Sequence, residues 1–473
     1  MVTFRYLFTA LFLFCGVTVG EAYCCTSVVL DNNQPLHQQF KKGNRVYVVE
    51  DAIDLKGEII NLPEKCTLLF NKGYLTNGTI VGNSTRLKGD VRCYTEISGT
   101  FTNKTMETKW FMSPKDTNRL CKVLNQLIKT NTQNIKINKG NYLASNKVLL
   151  KGNLKIEGEE DVVISLDRSL IDGPFCLFEV QGIKQKDGKN NCSIICISNI
   201  CFMINGSCEK GRTSIFKFNN VSSVRIERCS FIDKVEQGTP ISTYAWSMIE
   251  MYGCDNCLID RCYTECVRLL GSYSGFHLIA SNNTGYNSHG TWLECNDGSG
   301  NIYEKNRIIG NMLRKNSTLS QNAINGIIRN NIVEVNDVEA ASLINLGHDS
   351  TELYSNSARG CIVEGNRLKT NISNGIVIWG NDANDITVRN NDIENLGPAW
   401  SILTLGPTSK NIIIENNNIN IGEEGKRAIA CHSEESIIRN NRISSLDKEE
   451  KYNPILVASY VKNSCRVYKN KKL

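Results

Sequence analysis

From about residue 190 to the C-terminus the chain repeats a six-residue pattern: apolar, charged, variable, Asn or Cys, variable, apolar. It recurs at residues 226–231, 259–264, 279–284, 303–308, 328–333, 363–368, 388–393, 414–419 and 438–443, with a truncated copy at 467–470. The fourth position reads Cys229, Cys262, Asn282, Asn306, Asn331, Asn366, Asn391, Asn417, Asn441 and Asn470, at spacings of 20 to 35 residues. Short β-rich runs at that period, without a helical pattern, predict a solenoid. Each Asn is expected at a tight turn, in the left-handed backbone conformation that its short side chain tolerates, with its amide bonded to the Asn one rung away. The second position alternates in sign through Glu304, Arg329, Glu364, Arg389, Glu415 and Arg439. Rungs ~4.8 Å apart would place these opposite charges over one another, so the column reads as structural.

The N-terminal third is patterned differently. Residues 45–105 alternate as strands, with turn signals at Asn77-Gly78 and Gly82-Asn83. Ser113, Pro114 and Asp116 then have the form of a helix start, with Ser as cap and Pro in first position. Leu120, Val123, Leu124, Leu127 and Ile128 follow at helical spacing, predicting a helix near 114–130. At the extreme N-terminus Arg5, an apolar stretch to Val19 and a small-residue site at Ala22 read as a signal peptide over 1–22. The expected division is therefore 1–22, a β-rich segment 23–112, and a solenoid 113–473. The localisation that follows is secreted, periplasmic or cell-surface, with no membrane span.

Composition changes the picture little. A net charge of +6 favours acidic partners such as uronate-rich polysaccharides, and is too sparse for a nucleic-acid footprint. Of 20 cysteines, ten fall between Cys192 and Cys295. The spacing Cys254, Cys257, Cys262, Cys266 could form a metal knuckle, but several of these fall at inward or stacking positions, where Cys serves as a small hydrophobe.

With these repeats the chain resembles the pectin-lyase-like superfamily of right-handed parallel β-helices. The segment around Lys139-Gly140-Asn141-Tyr142, after the helix, resembles the capped N-terminal coils of pectate lyases and phage tailspikes. The resemblance implies an all-β, right-handed parallel β-helix of about ten or more coils, three strands per coil, with the Asn turn between second and third strands and the helix plugging the open end. First strands are then expected at 247–252, 268–273, 291–295, 341–347, 401–406, 427–431 and 455–459.

In that superfamily catalysis lies on the outward face of the first strands. Counting from the repeat puts Ile249, Leu293 and Ile378 inward, and Glu250, Glu294 and Trp379 outward in one column. The rung between the glutamates holds Arg268, and the two glutamates would lie two rungs apart, about 9–10 Å between backbones, near the upper end for an inverting glycosidase pair. Asp297 and His289 complete the candidate catalytic set; Tyr252, Tyr273 and Trp292 are candidate sugar contacts beside them. Farther along, Asn345, His348, Asp349, Asp382 and His432 fall at equivalent turn positions. Asn345 and His348 are candidate substrate contacts, and Asp349 and Asp382 candidate calcium ligands. No other cofactor is indicated.

The chain departs from known enzymes of the superfamily. The polygalacturonase motifs Asn-Thr-Asp, Asp-Asp, Gly-His-Gly and Arg-Ile-Lys are absent, the nearest match being Ser288-His289-Gly290, and no lyase set of basic residue plus calcium acids stands out. Three readings stay open. One is an exported glycoside hydrolase or polysaccharide lyase acting on an acidic polysaccharide, with Glu294 as acid and Glu250 or Asp297 as base, or Arg268 as a lyase base. The others are a non-catalytic, glycan-binding or adhesin-like solenoid, and a tailspike-like one. The first two imply a monomer and the last a homotrimer.

Overall fold

In a computed structural model the described residues are 27–473, excepting 114, 172, 183–190, 207–212, 235–246, 289, 313–316, 337–341, 348–357, 372–376, 399–400 and 447–452. The expected signal peptide therefore lies outside them. The chain divides into two units, the first ending at Asn103 and the second running from Lys104 to Leu473. The first is a seven-stranded sheet whose strands pair in parallel around the long strand Tyr74–Gly89.

The second unit is a parallel β-helix. Three sheets of 12, 14 and 13 strands run its length, and every strand pairs in parallel with its counterpart one coil away. In the coil of Ile327–Arg329, Ile332–Val335 and Ser342–Leu346, these are a second, a third and the next coil's first strand. Strands Ser247–Tyr252 and Arg268–Tyr273 fall where the resemblance implied; the next begins at Leu293 and runs on to Ser299. Inward positions carry the core: Tyr303, Ile328, Val363, Val388, Ile414 and Ile438 stack along the second strands, each at most 1% exposed. Phe178, Phe202, Phe216 and Phe231 fill the wider N-terminal coils, with ring centroids 5.2–6.1 Å apart.

The amide ladder is present, shifted by one residue at its start. Asn283, not Asn282, stands in file: its Nδ2 donates to Asn306 Oδ1 at 2.9 Å and to the Ile259 carbonyl at 3.0 Å. The same pair of bonds recurs through Asn306, Asn331, Asn366, Asn391, Asn417 and Asn441, ending on Asn470. The left-handed conformation belongs to the residue before, at φ of 52–57° in Arg228, Arg261, Asn282, Lys305, Asn330, Asn390, Asn416, Asn440 and Lys469. That residue reverses the chain direction, so the fourth side chain can point into the corner. Cys229 and Cys262 occupy the two preceding corners, and their thiols donate to the Ile197 and Ile226 carbonyls, the groups an Asn Nδ2 would reach. Burial pushes the Cys229 thiol up to about 12 and raises Cys262 as well, so both remain donors. Cys254 and Cys257 are likewise buried thiols donating to backbone carbonyls. The alternating column closes as three separate ion pairs, Arg329–Glu304, Arg389–Glu364 and Arg439–Glu415, at 2.6–2.7 Å.

The helix begins later than expected, at Leu120–Ile128 after a 3₁₀ turn Thr117–Arg119. Ser113 and Asp116 form a turn in front of it, the Asp116 amide donating to the Ser113 carbonyl at 2.9 Å. Leu120, Val123, Leu124 and Leu127 are buried, and Asn125 treats the edge strand Val148–Leu149 as a further rung would. Its Nδ2 donates to the Lys147 carbonyl at 2.7 Å, and its Oδ1 accepts from the Leu149 amide at 3.0 Å. The sheet end is thereby capped.

Two outcomes follow for stability. Asn366→Ala orphans the buried donors of Asn331, which bond Asn366 Oδ1, and at roughly 1–3 kcal/mol per orphaned group it should lower the urea midpoint by an amount worth at least ~2 kcal/mol. Exposed Asn418→Ala should stay within ~0.5 kcal/mol. Equal midpoints would show the ladder to be energetically idle. Second, burial raises Cys93 and Cys361 to about 11, and Cys176, Cys229 and Cys295 to about 12. The unfolded thiols ionise near 9, so folding retains protons that the unfolded chain releases above that pH. This contribution is complete below pH ~9 and lost towards pH 12, so midpoints measured in reductant should be flat from pH 7 to 8.5 and fall by pH 10.5.

Candidate functional site on the first-strand face

Strand pairing defines one outward column along the first-strand sheet. It reads Glu179, Lys217, Glu250, Gly271, Glu294, Ser320, Asn345, Trp379, Thr404 and Ala430, each residue one rung from the next. Ile249, Leu270, Leu293, Leu319, Ile344 and Ile378 lie beside it, fully buried, so alternation along each strand drives the column outward. Glu250, Glu294, Asn345 and Trp379 are thus brought into line. The rung between the two glutamates presents Gly271, not Arg268.

That glycine is closely packed. A Cβ there would stand 3.0 Å from Ser247 Oγ and 3.4 Å from the Tyr273 ring. Tyr252 and Tyr273 stack beside the column with centroids 5.0 Å apart and planes 14° apart, and the Tyr252 hydroxyl donates to Glu250 Oε2 at 3.0 Å. Lys217 Nζ sits 5.5 Å from the Tyr252 ring centroid. Arg268 lies at the start of its strand, only 5% exposed; its Nε donates to the Thr291 carbonyl at 3.1 Å and its Nη2 pairs with Glu294 Oε2. Asn296 Nδ2 donates to Glu294 Oε1 at 3.1 Å, so both carboxylate oxygens are held. One rung further, Asn322 pairs with Asn296 in register, and both polar atoms of its buried carboxamide have no hydrogen-bond partner. Such a group is costly unless something satisfies it. Lys217, Gly271, Asn296 and Asn322 were not found from sequence; parity counting from Leu293 would have reached Asn296, whereas the other three needed the register between strands.

Other expectations are corrected. Trp292 is fully buried and its indole N–H donates to Thr264 Oγ1 at 2.8 Å, so it faces no groove. The chain turns a corner there, and pairs of neighbours (Leu269 and Leu270, Trp292 and Leu293, Val377 and Ile378) both point inward. Both the Leu269 and Leu270 amides bond the Trp292 carbonyl, as such a corner requires. Asp297 lies not in a turn but within the strand Leu293–Ser299, at its bulge with φ 55°, and outside the column. Asn345 lies within a strand, not a turn, and its Nδ2 donates to the Gly347 carbonyl at 3.3 Å. Asp382 is a left-handed turn residue whose amide donates to Thr408 Oγ1 at 3.2 Å. A His432 ring nitrogen lies 3.2 Å from the Tyr460 hydroxyl. His289, His348 and Asp349 fall outside the described residues. Among the described residues no three His, Cys, Asp or Glu side chains gather as they would to hold a metal ion, and no helix is long and apolar enough to cross a membrane.

No protein-family model matches the sequence, and no curated protein matches it significantly. Solved structures do. The surface adhesin PfbA of Streptococcus pneumoniae superposes with a TM-score of 0.50 at 17% identity, over 69% of this chain and 85% of its own. The catalytic domain of a GH87 α-1,3-glucanase in complex with tetrasaccharides gives 0.55 at 12% identity, over 76% and 70%. Identities so low speak for architecture alone. With three continuous parallel sheets and the amide ladder, they make this chain a right-handed parallel β-helix.

Proposed function

We propose that the first-strand face is the groove of a carbohydrate-active enzyme, cleaving a polysaccharide between Glu250 and Glu294. The observation that carries this reading is the pair of outward carboxylates two rungs apart across a glycine. At ~4.8 Å per rung the backbones are about 9–10 Å apart, near the upper end of the ~6.5–9.5 Å carboxyl separation of inverting glycosidases, which leave room for a water.

The surroundings favour roles opposite to those read from sequence. Glu294 is paired with a guanidinium and an amide N–H, partners of a carboxylate, and so suits the base that activates water. Glu250 is 7% exposed and has no guanidinium partner among the described residues, which suits the acid that protonates the leaving oxygen. With Arg268 engaged by Glu294 and the Thr291 carbonyl, a lyase using Arg268 as base finds less support. Trp379, half-buried three rungs beyond Glu294, would stack a more distant sugar ring. The described charges of the central column and its Arg268 flank nearly cancel, so an acidic substrate draws its support from the overall charge and not from the groove. The non-catalytic reading is favoured by one feature, the internal neutralisation of Glu294, and PfbA is itself described as an adhesin.

Incubation with a panel of neutral and uronate polysaccharides, followed by product analysis, tests both readings. Glu250→Gln and Glu294→Gln should each lower turnover by roughly 10²–10⁴-fold, with inversion at the anomeric carbon in the products. Unchanged turnover in both variants removes these residues from the chemistry, and binding without any product favours the adhesin-like reading. Gly271→Val should lower turnover, since its side chain must displace Ser247 Oγ and the Tyr273 ring beside Glu250. A fully active Gly271→Val would show that this packing does not bear on the chemistry.

A further inference from the structure

Along much of this solenoid, stacked opposite charges are paired. Arg329, Arg389 and Arg439 each meet a glutamate on the preceding coil, Arg367 meets Glu334 at 3.2 Å, and Lys369 meets Glu394 at 2.6 Å. At the C-terminal end of the third-strand sheet the rule breaks. The outward column there runs Asp392, Asn418, Arg442, Lys471, with Arg442 directly in register with Lys471. Lys469, in the left-handed corner conformation at φ 55°, adds a third cation two residues away. Among the described residues none of the three makes an ion pair, and like charges one rung apart repel.

These cations line an open cavity of about 550 Å³ together with Asn416, Asn418, Asn440 and Leu473. Asn418 Nδ2 is bonded to Asp392 Oδ1 at 3.0 Å, while Asn416 and Asn440 are exposed at left-handed corner positions. The cavity thus presents unpaired positive charge along the solenoid axis at rung spacing, flanked by carboxamides that donate to and accept from hydroxyls. No aromatic side chain lines it, so it lacks the stacking platform of a single-stranded nucleic-acid site.

We infer that this corner binds an anionic glycan, a chain bearing carboxylates or sulfates together with hydroxyls, at a surface separate from the first-strand groove. One anionic group would sit between Arg442 and Lys471, relieving the repulsion the bare column carries, while Asn416 and Asn440 meet ring hydroxyls. The site is independent of whether Glu250 and Glu294 are catalytic.

Affinity electrophoresis or calorimetry on the full chain tests it, with polygalacturonate as the carboxylate probe, dextran sulfate as the sulfate probe, and unmodified dextran and single-stranded DNA as controls. The parent should bind at least one charged glycan and not dextran, and raising salt from 50 to 200 mM should weaken binding, as screening of exposed charges requires. The exposed triple substitution R442A/K469A/K471A should weaken it at least tenfold and flatten the salt dependence, whereas Glu294→Gln and Trp379→Ala should leave it unchanged. Whichever probe binds identifies the anion. Three results would overturn the inference: no binding of either charged glycan by the parent, undiminished binding by the triple variant, or DNA bound as tightly as the glycans. Loss of binding in Trp379→Ala instead would place the glycan in the first-strand groove.

Discussion

The constraint on which the rest depends is that every coil must return to the same height at one corner. Coils here differ widely in length, so two corners absorb the variation and the third cannot. At that corner each Asn amide bonds the next coil's Asn and the preceding coil's carbonyl. A corner displaced by one residue would leave buried donors and acceptors unpaired in two coils at once, a penalty no exposed loop residue incurs. Where the amides run out, Cys229 and Cys262 supply a weaker thiol donor to the same carbonyls, which keeps the geometry while asking less of the side chain.

Because that corner sets the height, the opposite face inherits a register. Glu250 and Glu294 are far apart in the chain, yet they become neighbours two rungs apart because Ile249, Leu270 and Leu293 sit over one another in the core. Buried or half-buried charge on such a face is expensive unless it is paired and hydrogen-bonded. The Arg268, Thr291, Glu294 and Asn296 network meets that requirement, with each polar group held from a different rung or strand position. Where pairing is missing, as at Asn322 in the groove and at Arg442 over Lys471, a protein surface has a use for the unsatisfied group or carries its cost.

The net positive charge says little about the groove for the same reason. Acids and bases meet there and alternate along the second-strand column, while Arg442, Lys469 and Lys471 gather at a different corner. Composition sums over the whole chain, whereas recognition depends on which charges the coil places within a few ångströms of one another.

What the sequence determined by itself is what depends on period. The solenoid, the Asn file from Asn306 to Asn470, the outward Glu250, Glu294 and Trp379 column, and the pairing of the alternating charges all follow from counting positions, because in-register stacking turns sequence period into spatial neighbourhood. What only the tertiary structure decided lies at corners and ends, where period fails. Asn283 and not Asn282 enters the ladder because the left-handed residue comes just before the amide. The helix waits until Leu120, where its apolar side chains and Asn125 can reach the open sheet edge. Trp292 turns into the core because two consecutive residues face inward at a corner. Gly271 stands between the glutamates because the local hydrogen bonding at Leu269 and Leu270 displaces Arg268 from that rung. In each case the outcome is set by which buried backbone groups must find partners across coils, and a linear pattern does not carry that accounting.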